Sequence, residues 1–221
     1  LEGPGGENTP LLLYGILRNL QRTPQGVARA ESLFREFLGE GLDSRELRAC
    51  LGETLWIAGR DAEAEEEFER AGSGSDLGRA MRAAFLVETG RAAEGLAEAR
   101  NVDAEAEALP RALARLVEGE ALLRLGRPTE AAEFLRRFSA ARLADASLPS
   151  RAHLVLAEAE IAAARAPGVP DPVRAARLHR ARAEVEAARE GGHLDGRRAA
   201  RAAALLAEID RALRETGRND R

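Results

Sequence analysis

An all-α chain of repeating helix hairpins is expected from three observations. Ala, Leu, Glu and Arg dominate the 221 residues, and these are strong helix formers. No stretch alternates apolar and polar residues with period two, so no sheet is expected. A skeleton of small and large residues, Leu51-Gly52, Leu55, Gly59, Ala64, Phe68 and Ala71, reads as helix, tight turn, helix, and it recurs downstream. Hairpins that recur bury their core only against neighbouring hairpins, which is the architecture of an α-solenoid. About five hairpins plus a C-terminal capping helix are expected over residues 9–216.

Residues 1–8 are too rich in Gly and Pro for regular structure and read as a linker or an added remnant. Thr9-Pro10 supplies an N-cap and a first-turn proline for a helix through about Gln21. Thr23-Pro24 repeats the signal. The helix it opens shows Val27, Ala30, Leu33 or Phe34, and Phe37 on one face, and Gly39 and Gly41 end it. Asp43 and Glu46 have capping-box spacing and start a helix carrying Leu47, Leu51, Leu55 and Ile57. Gly59-Arg60-Asp61 is the turn. In the next helix, over about 61–71, Glu63, Glu65, Glu66, Glu67 and Glu69 read as a solvated acidic face, while Ala64, Phe68 and Ala71 point inward.

After the break at 72–75, Asp76 is the expected cap of a helix carrying Leu77, Ala80, Ala83, Ala84 and Leu86. Gly90-Arg91 turns it into a short alanine-rich helix over about 92–100. The fourth hairpin opens near Leu109-Pro110 and runs through Leu113, Leu116, Gly119, Leu122 and Leu123 to Gly126-Arg127-Pro128. Its second helix carries Ala131, Phe134, Leu135 and Phe138. The fifth begins near Ser150 with Leu154, Leu156, Ala159 and Ile161. After the connection at 167–172, Asp171 caps its partner, which carries Ala175, Leu178, Ala181, Val185 and Ala188 and stops at Gly191-Gly192. Asp195 caps a last helix to about Thr216, with Ala199, Ala203, Leu206, Ile209 and Leu213 as its stripe. Residues 217–221 are expected to be a disordered polar tail.

Composition narrows the function. The net charge of −4 supplies no overall attraction to nucleic acid or anionic membrane. Residues 173–221 are locally positive, with 12 Arg against 8 acids, and Arg197, Arg198 and Arg201 cluster there. Acids dilute the patch and aromatic stacking residues are missing from it, so nucleic-acid binding is not expected. No apolar run approaches a membrane span. All 33 basic residues are arginine, a bias expected of a GC-rich bacterial genome. Cys50 is the single cysteine and reads as a buried, inert thiol. The chain begins at Leu1 rather than Met. The natural N-terminus is therefore expected to have been removed, and the compartment stays open between cytoplasm, slightly favoured, and periplasm.

His153, His179 and His193 are scattered without metal-ligand spacing, no Gly-rich loop precedes a lysine, and no serine sits in a nucleophile elbow. No cofactor, metal or catalytic constellation is expected, and the chain reads as a non-enzyme.

The turn glycines set a period. Gly59 to Gly90 is 31 residues (90 − 59) and Gly90 to Gly126 is 36 (126 − 90). Arginine follows each glycine, a small residue stands five positions later (Ala64, Gly95, Ala131), and another stands seven positions earlier (Gly52, Ala83, Gly119). Two helices crossing beside their turn approach closely only if the side chains at the crossing are tiny. A large residue there costs roughly 1–3 kcal/mol of overpacking.

On these residues the chain resembles the tetratricopeptide repeat family, whose period is roughly 34 residues. The resemblance is strong over 45–78, good over 112–145 and weaker over 76–108. Arg48, Leu55 and Asp76 depart from it, standing where the family favours Trp, Tyr and Pro. The resemblance implies a right-handed superhelix whose concave groove, lined by the first helix of each hairpin, takes a peptide or helix of a protein partner. The implied lining is Glu46, Ala49, Glu53 and Trp56, then Leu77, Ala80, Ala84 and Val87, then Leu113, Leu116, Glu120 and Leu123. Chaperone-binding members hold a peptide carboxylate with a basic and amide clamp. Ala49 and Glu53 stand at clamp positions here and there is no lysine, so that use is not expected.

Trp56, the single tryptophan, reads either as core filler beside Leu55 or as a partly exposed binding anchor. The expected function is a non-enzymatic interaction scaffold, monomeric or weakly self-associating, in the assembly of a bacterial complex. The alternative is a ligand-sensing or accessory domain of a larger regulator or enzyme.

Overall fold

Helix formers joined by glycine turns fold here as helices. The computed structural model describes residues 9–20, 23–137, 147–191, 194 and 196–219. Eleven helices and no strand are found among the described residues. They are α1 (Thr9–Leu20), α2 (Pro24–Gly39), α3 (Arg45–Ile57), α4 (Asp61–Ala71), α5 (Asp76–Glu88), α6 (Ala92–Arg100), α7 (Ala108–Arg124), α8 (Pro128–Arg137), α9 (Ser147–Ala164), α10 (Asp171–Glu190) and α11 (Gly196–Asn219).

The hairpin turns are built by backbone geometry. Gly59, Gly90 and Gly126 have φ of 78°, 90° and 74°, where L side chains are strained. Each lets the following arginine N–H reach back five residues: Arg60 to Leu55 O at 2.9 Å, Arg91 to Leu86 O at 2.8 Å, Arg127 to Leu122 O at 2.9 Å. This is the Schellman termination, and it satisfies carbonyls at the helix end.

The crossings lie where the small residues are. A Cβ built on Gly52 would stand 3.2 Å from the Ala64 carbonyl oxygen, and one on Gly95 would stand 2.7 Å from that of Ala83. A Cβ on Gly119 would meet the Leu135 side chain at 2.4 Å, one turn beyond Ala131.

Two compact units divide the chain, Leu1–Val117 and Glu118–Arg221, with the division inside α7. In the first, α3 packs against α1, α2, α4 and α5, and α5 packs against α6. Phe85 of α5 ties three helices together. Its ring lies 5.3 Å from that of Phe68 on α4 and 6.0 Å, edge-on at 88°, from that of Trp56 on α3. Cys50 is buried. In the second unit α9, α10 and α11 close around Leu154, Ile161, Leu178, Val185, Leu205 and Ile209.

Several local expectations shift by one residue. Ser44, not Asp43, caps α3: its hydroxyl accepts from Leu47 N at 3.1 Å, while Asp43 pairs with Arg48. Ser75, not Asp76, caps α5, and Asp76 turns instead to Arg79 and to the Asp103 N–H. Pro170 is the N-cap of α10, with Asp171 inside its first turn. A serine beside an aspartate offers two cap candidates, and backbone φ and ψ decide between them.

The α11 stripe buries Ala202, Leu205 and Ile209, with Ala199 and Ala203 exposed and Leu206 and Leu213 half-buried. This helix also runs to Asn219, beyond Thr216. Ile57, expected on the inner face of α3, is exposed. Asp195, His193 and Phe138 lie outside the residues whose side chains are described.

Candidate functional site

The arginine after each turn glycine clamps a glutamate of the next helix, and two of the three also hold a second one. Arg60 donates from Nε to Glu63 of its own helix at 2.6 Å and from Nη1 to Glu31 on α2 at 2.7 Å. Arg91 donates from Nε to Glu94 at 2.9 Å and from Nη1 to Glu65 on α4. Arg127 donates to Glu130 at 2.7 Å. The local hand reaches the third residue of the next helix, where a carboxylate also faces the positive end of the helix dipole. The far hand of Arg60 and of Arg91 holds the preceding hairpin. Gly-Arg-x-x-Glu, three times over, is the sequence signal for these clamps.

These pairs shift titration. Hydrogen bonds from Arg60 hold the Glu63 carboxyl below its ordinary value, and Arg91 does the same for Glu94. Burial pushes the Glu31 carboxyl up, but Arg60 and Arg35 outweigh it and leave it lowered. A carboxylate with a lowered folded pKa stabilises the fold above its unfolded value, and that contribution fades as pH falls toward the folded one. Stability will therefore decline below the ordinary glutamate value of 4.5. Arg60→Gln will flatten that acid limb in thermal melts taken between about pH 5 and pH 3. An acid limb identical to wild type would rule the clamp out as its source.

The acidic face of α4 is correspondingly less free than its spacing suggests. Glu67 is 6% exposed and pairs with Arg48 at 3.1 Å and with Arg70. Arg48 also holds Asp43 at 2.6 Å, so it is an ion-pair hub between two carboxylates.

The twelve positions implied as groove lining fall into two groups. Ala49, Glu53, Leu77, Ala80, Ala84, Val87, Leu113, Leu116 and Glu120 are buried. Ala49 lies against α5, where a Cβ on Gly78 would touch its methyl at 3.4 Å. Glu46, Trp56 and Leu123 are half-buried and reachable. Trp56 is half-buried and its ring packs at a near-right angle against that of Phe85.

The second unit contains buried charge that apolar spacing does not reveal. Arg151 forks onto Glu120 through Nε at 2.9 Å and Nη2 at 2.6 Å. Glu160 is 1% exposed and receives Arg136, Arg177 and Arg180. His153 Nδ1 lies 2.6 Å from Glu184, His179 is exposed, and Arg201 pairs with Glu158 at 2.8 Å. Among the described residues no group of three His, Cys, Asp or Glu is placed to hold a metal, and no helix is long and apolar enough to cross a membrane.

No family model, curated protein or solved structure matches the chain.

Proposed function

We propose that this chain is a right-handed α-solenoid of the tetratricopeptide kind, and that it serves as a non-enzymatic scaffold for a peptide or helix of a partner protein. The observation that carries this reading is repetition. The hairpins α3–α4 and α5–α6 share one crossing, one turn geometry and one back-reaching arginine. Clamped hairpins present a preformed surface, so a partner meets it with little ordering cost. Trp56 supplies a large amphipathic side chain, half-buried and packed on Phe85, beside exposed Ile57. Such residues anchor partners.

Trp56→Ala will lose the Phe85 contact and destabilise the first unit by about 2 kcal/mol, leaving it folded by circular dichroism. Partner recovery by pull-down from the source organism, with wild type and with the Trp56→Ala/Leu123→Ala variant, tests the function. Loss of a specific partner from the folded variant is expected. Equal recovery of every partner by both proteins would overturn the proposal.

A further inference from the structure

Charge does not balance around Glu160. The Oε1 atom lies 3.1 Å from Arg136 Nε of α8 in an ion pair and accepts from Arg180 Nε of α10 at 3.3 Å. The Oε2 atom accepts from Arg177 Nη1 at 3.0 Å and from Arg180 Nη2 at 3.5 Å. Among the described residues no second carboxylate pairs with these three arginines. Three guanidinium charges against one carboxylate leave two positive charges in excess. Each guanidinium has five N–H donors, and most of them point elsewhere than Glu160. The Arg177 Nε–H is buried and has no acceptor among the described residues. A buried donor without a partner is rare and points to a missing one. Arg136 and Arg180 are 41% and 46% exposed at their side chains, so the cluster opens to solvent on one side.

We propose that Arg136, Arg177 and Arg180, held in register by Glu160, form a binding site for a phosphate monoester dianion. The excess of two positive charges matches the ligand, whose second pKa lies near 6, so it is doubly charged at neutral pH. The guanidinium fork suits bidentate contact with phosphoryl oxygens. Glu160 is a positioning residue. It removes three flexible side chains from free rotation before the ligand arrives, which lowers the entropy cost of binding. A monocarboxylate would leave one positive charge uncompensated and should bind more weakly. The site does not depend on the scaffold reading, because it lies wholly on α8, α9 and α10.

The test is titration calorimetry on the full chain at constant ionic strength, with inorganic phosphate, a phosphoserine peptide and the same peptide unphosphorylated. Phosphate or the phosphopeptide should bind and the unphosphorylated peptide should not. Stronger binding of the phosphopeptide identifies a phosphorylated segment as the source, and equal binding identifies free phosphate. Arg136→Gln and Arg180→Gln, made separately because both side chains are half-exposed, should each weaken binding by about tenfold or more. No binding of either phosphate probe at about millimolar concentration, or an affinity unchanged in both variants with folds verified by circular dichroism, would overturn the site.

Discussion

Gly95→Ala will destabilise the first unit, although alanine is the better helix former. The propensity gain is about 1 kcal/mol. Against it, the new Cβ would stand 2.7 Å from the Ala83 carbonyl oxygen, 2.6 Å from Val87 Cγ2 and 3.1 Å from Val87 N. Two of those atoms are backbone and cannot rotate away, so α5 and α6 must separate. Overpacking of this kind costs roughly 1–3 kcal/mol, and a net loss of about 1 kcal/mol or more is expected.

The other glycines calibrate the result. Gly52→Ala meets its neighbours at 3.2 Å and should be near neutral. Gly15→Ala, inside α1 with nothing within 4 Å, should gain about 0.5–1 kcal/mol. Urea unfolding followed by fluorescence of Trp56, the single tryptophan, reads the first unit selectively. A Gly95→Ala protein at least as stable as wild type would refute the close crossing.

Glu120→Ala will cost the second unit about 3 kcal/mol. Both partners of the Glu120–Arg151 fork are almost sealed from water, at 11% and 9% side-chain exposure. Removing the carboxylate leaves a guanidinium buried without it, and breaking such pairs typically costs about 3–5 kcal/mol. The companion experiment replaces both, Glu120→Met with Arg151→Leu, because an apolar pair of similar volume avoids the desolvation cost altogether. The double variant should recover most of the loss in chemical unfolding followed by circular dichroism. A single-variant loss below about 1 kcal/mol would show that water reaches the pair and screens it.

Glu120 also shows why the site was harder to read than the helices. The resemblance to tetratricopeptide repeats implies a groove-facing place for it, one turn from Leu116. Its partner lies 31 residues away on α9, and no periodicity links the two. The same holds for Arg48 with Glu67 and for Arg136, Arg177 and Arg180 with Glu160. The resemblance implies a free face for Ala49 and Ala80, because it leaves one side of each hairpin's first helix open. In the first unit α3 instead meets four other helices, so the side opposite α4 is covered as well. Trp56 escapes because it lies at the last turn of α3, past most of that cover.

What could be read from the chain alone rests on residues near one another in it. Helix propensity, αL glycines at Gly59, Gly90 and Gly126, and small residues at fixed distance from each turn act within a single hairpin, and these features recur in the structure with their spacing intact. Cap identity, the rotation of the α11 stripe, the burial of nine implied groove positions and the arginine networks were settled only by packing. They depend on which helices meet, and burial and ion pairing follow distance in space rather than distance along the chain. The arginine after each turn glycine stands between these cases. Its hold on the glutamate three residues on is local and written in the sequence, whereas the reach of Arg60 to Glu31 and of Arg91 to Glu65 exists only once the hairpins have stacked.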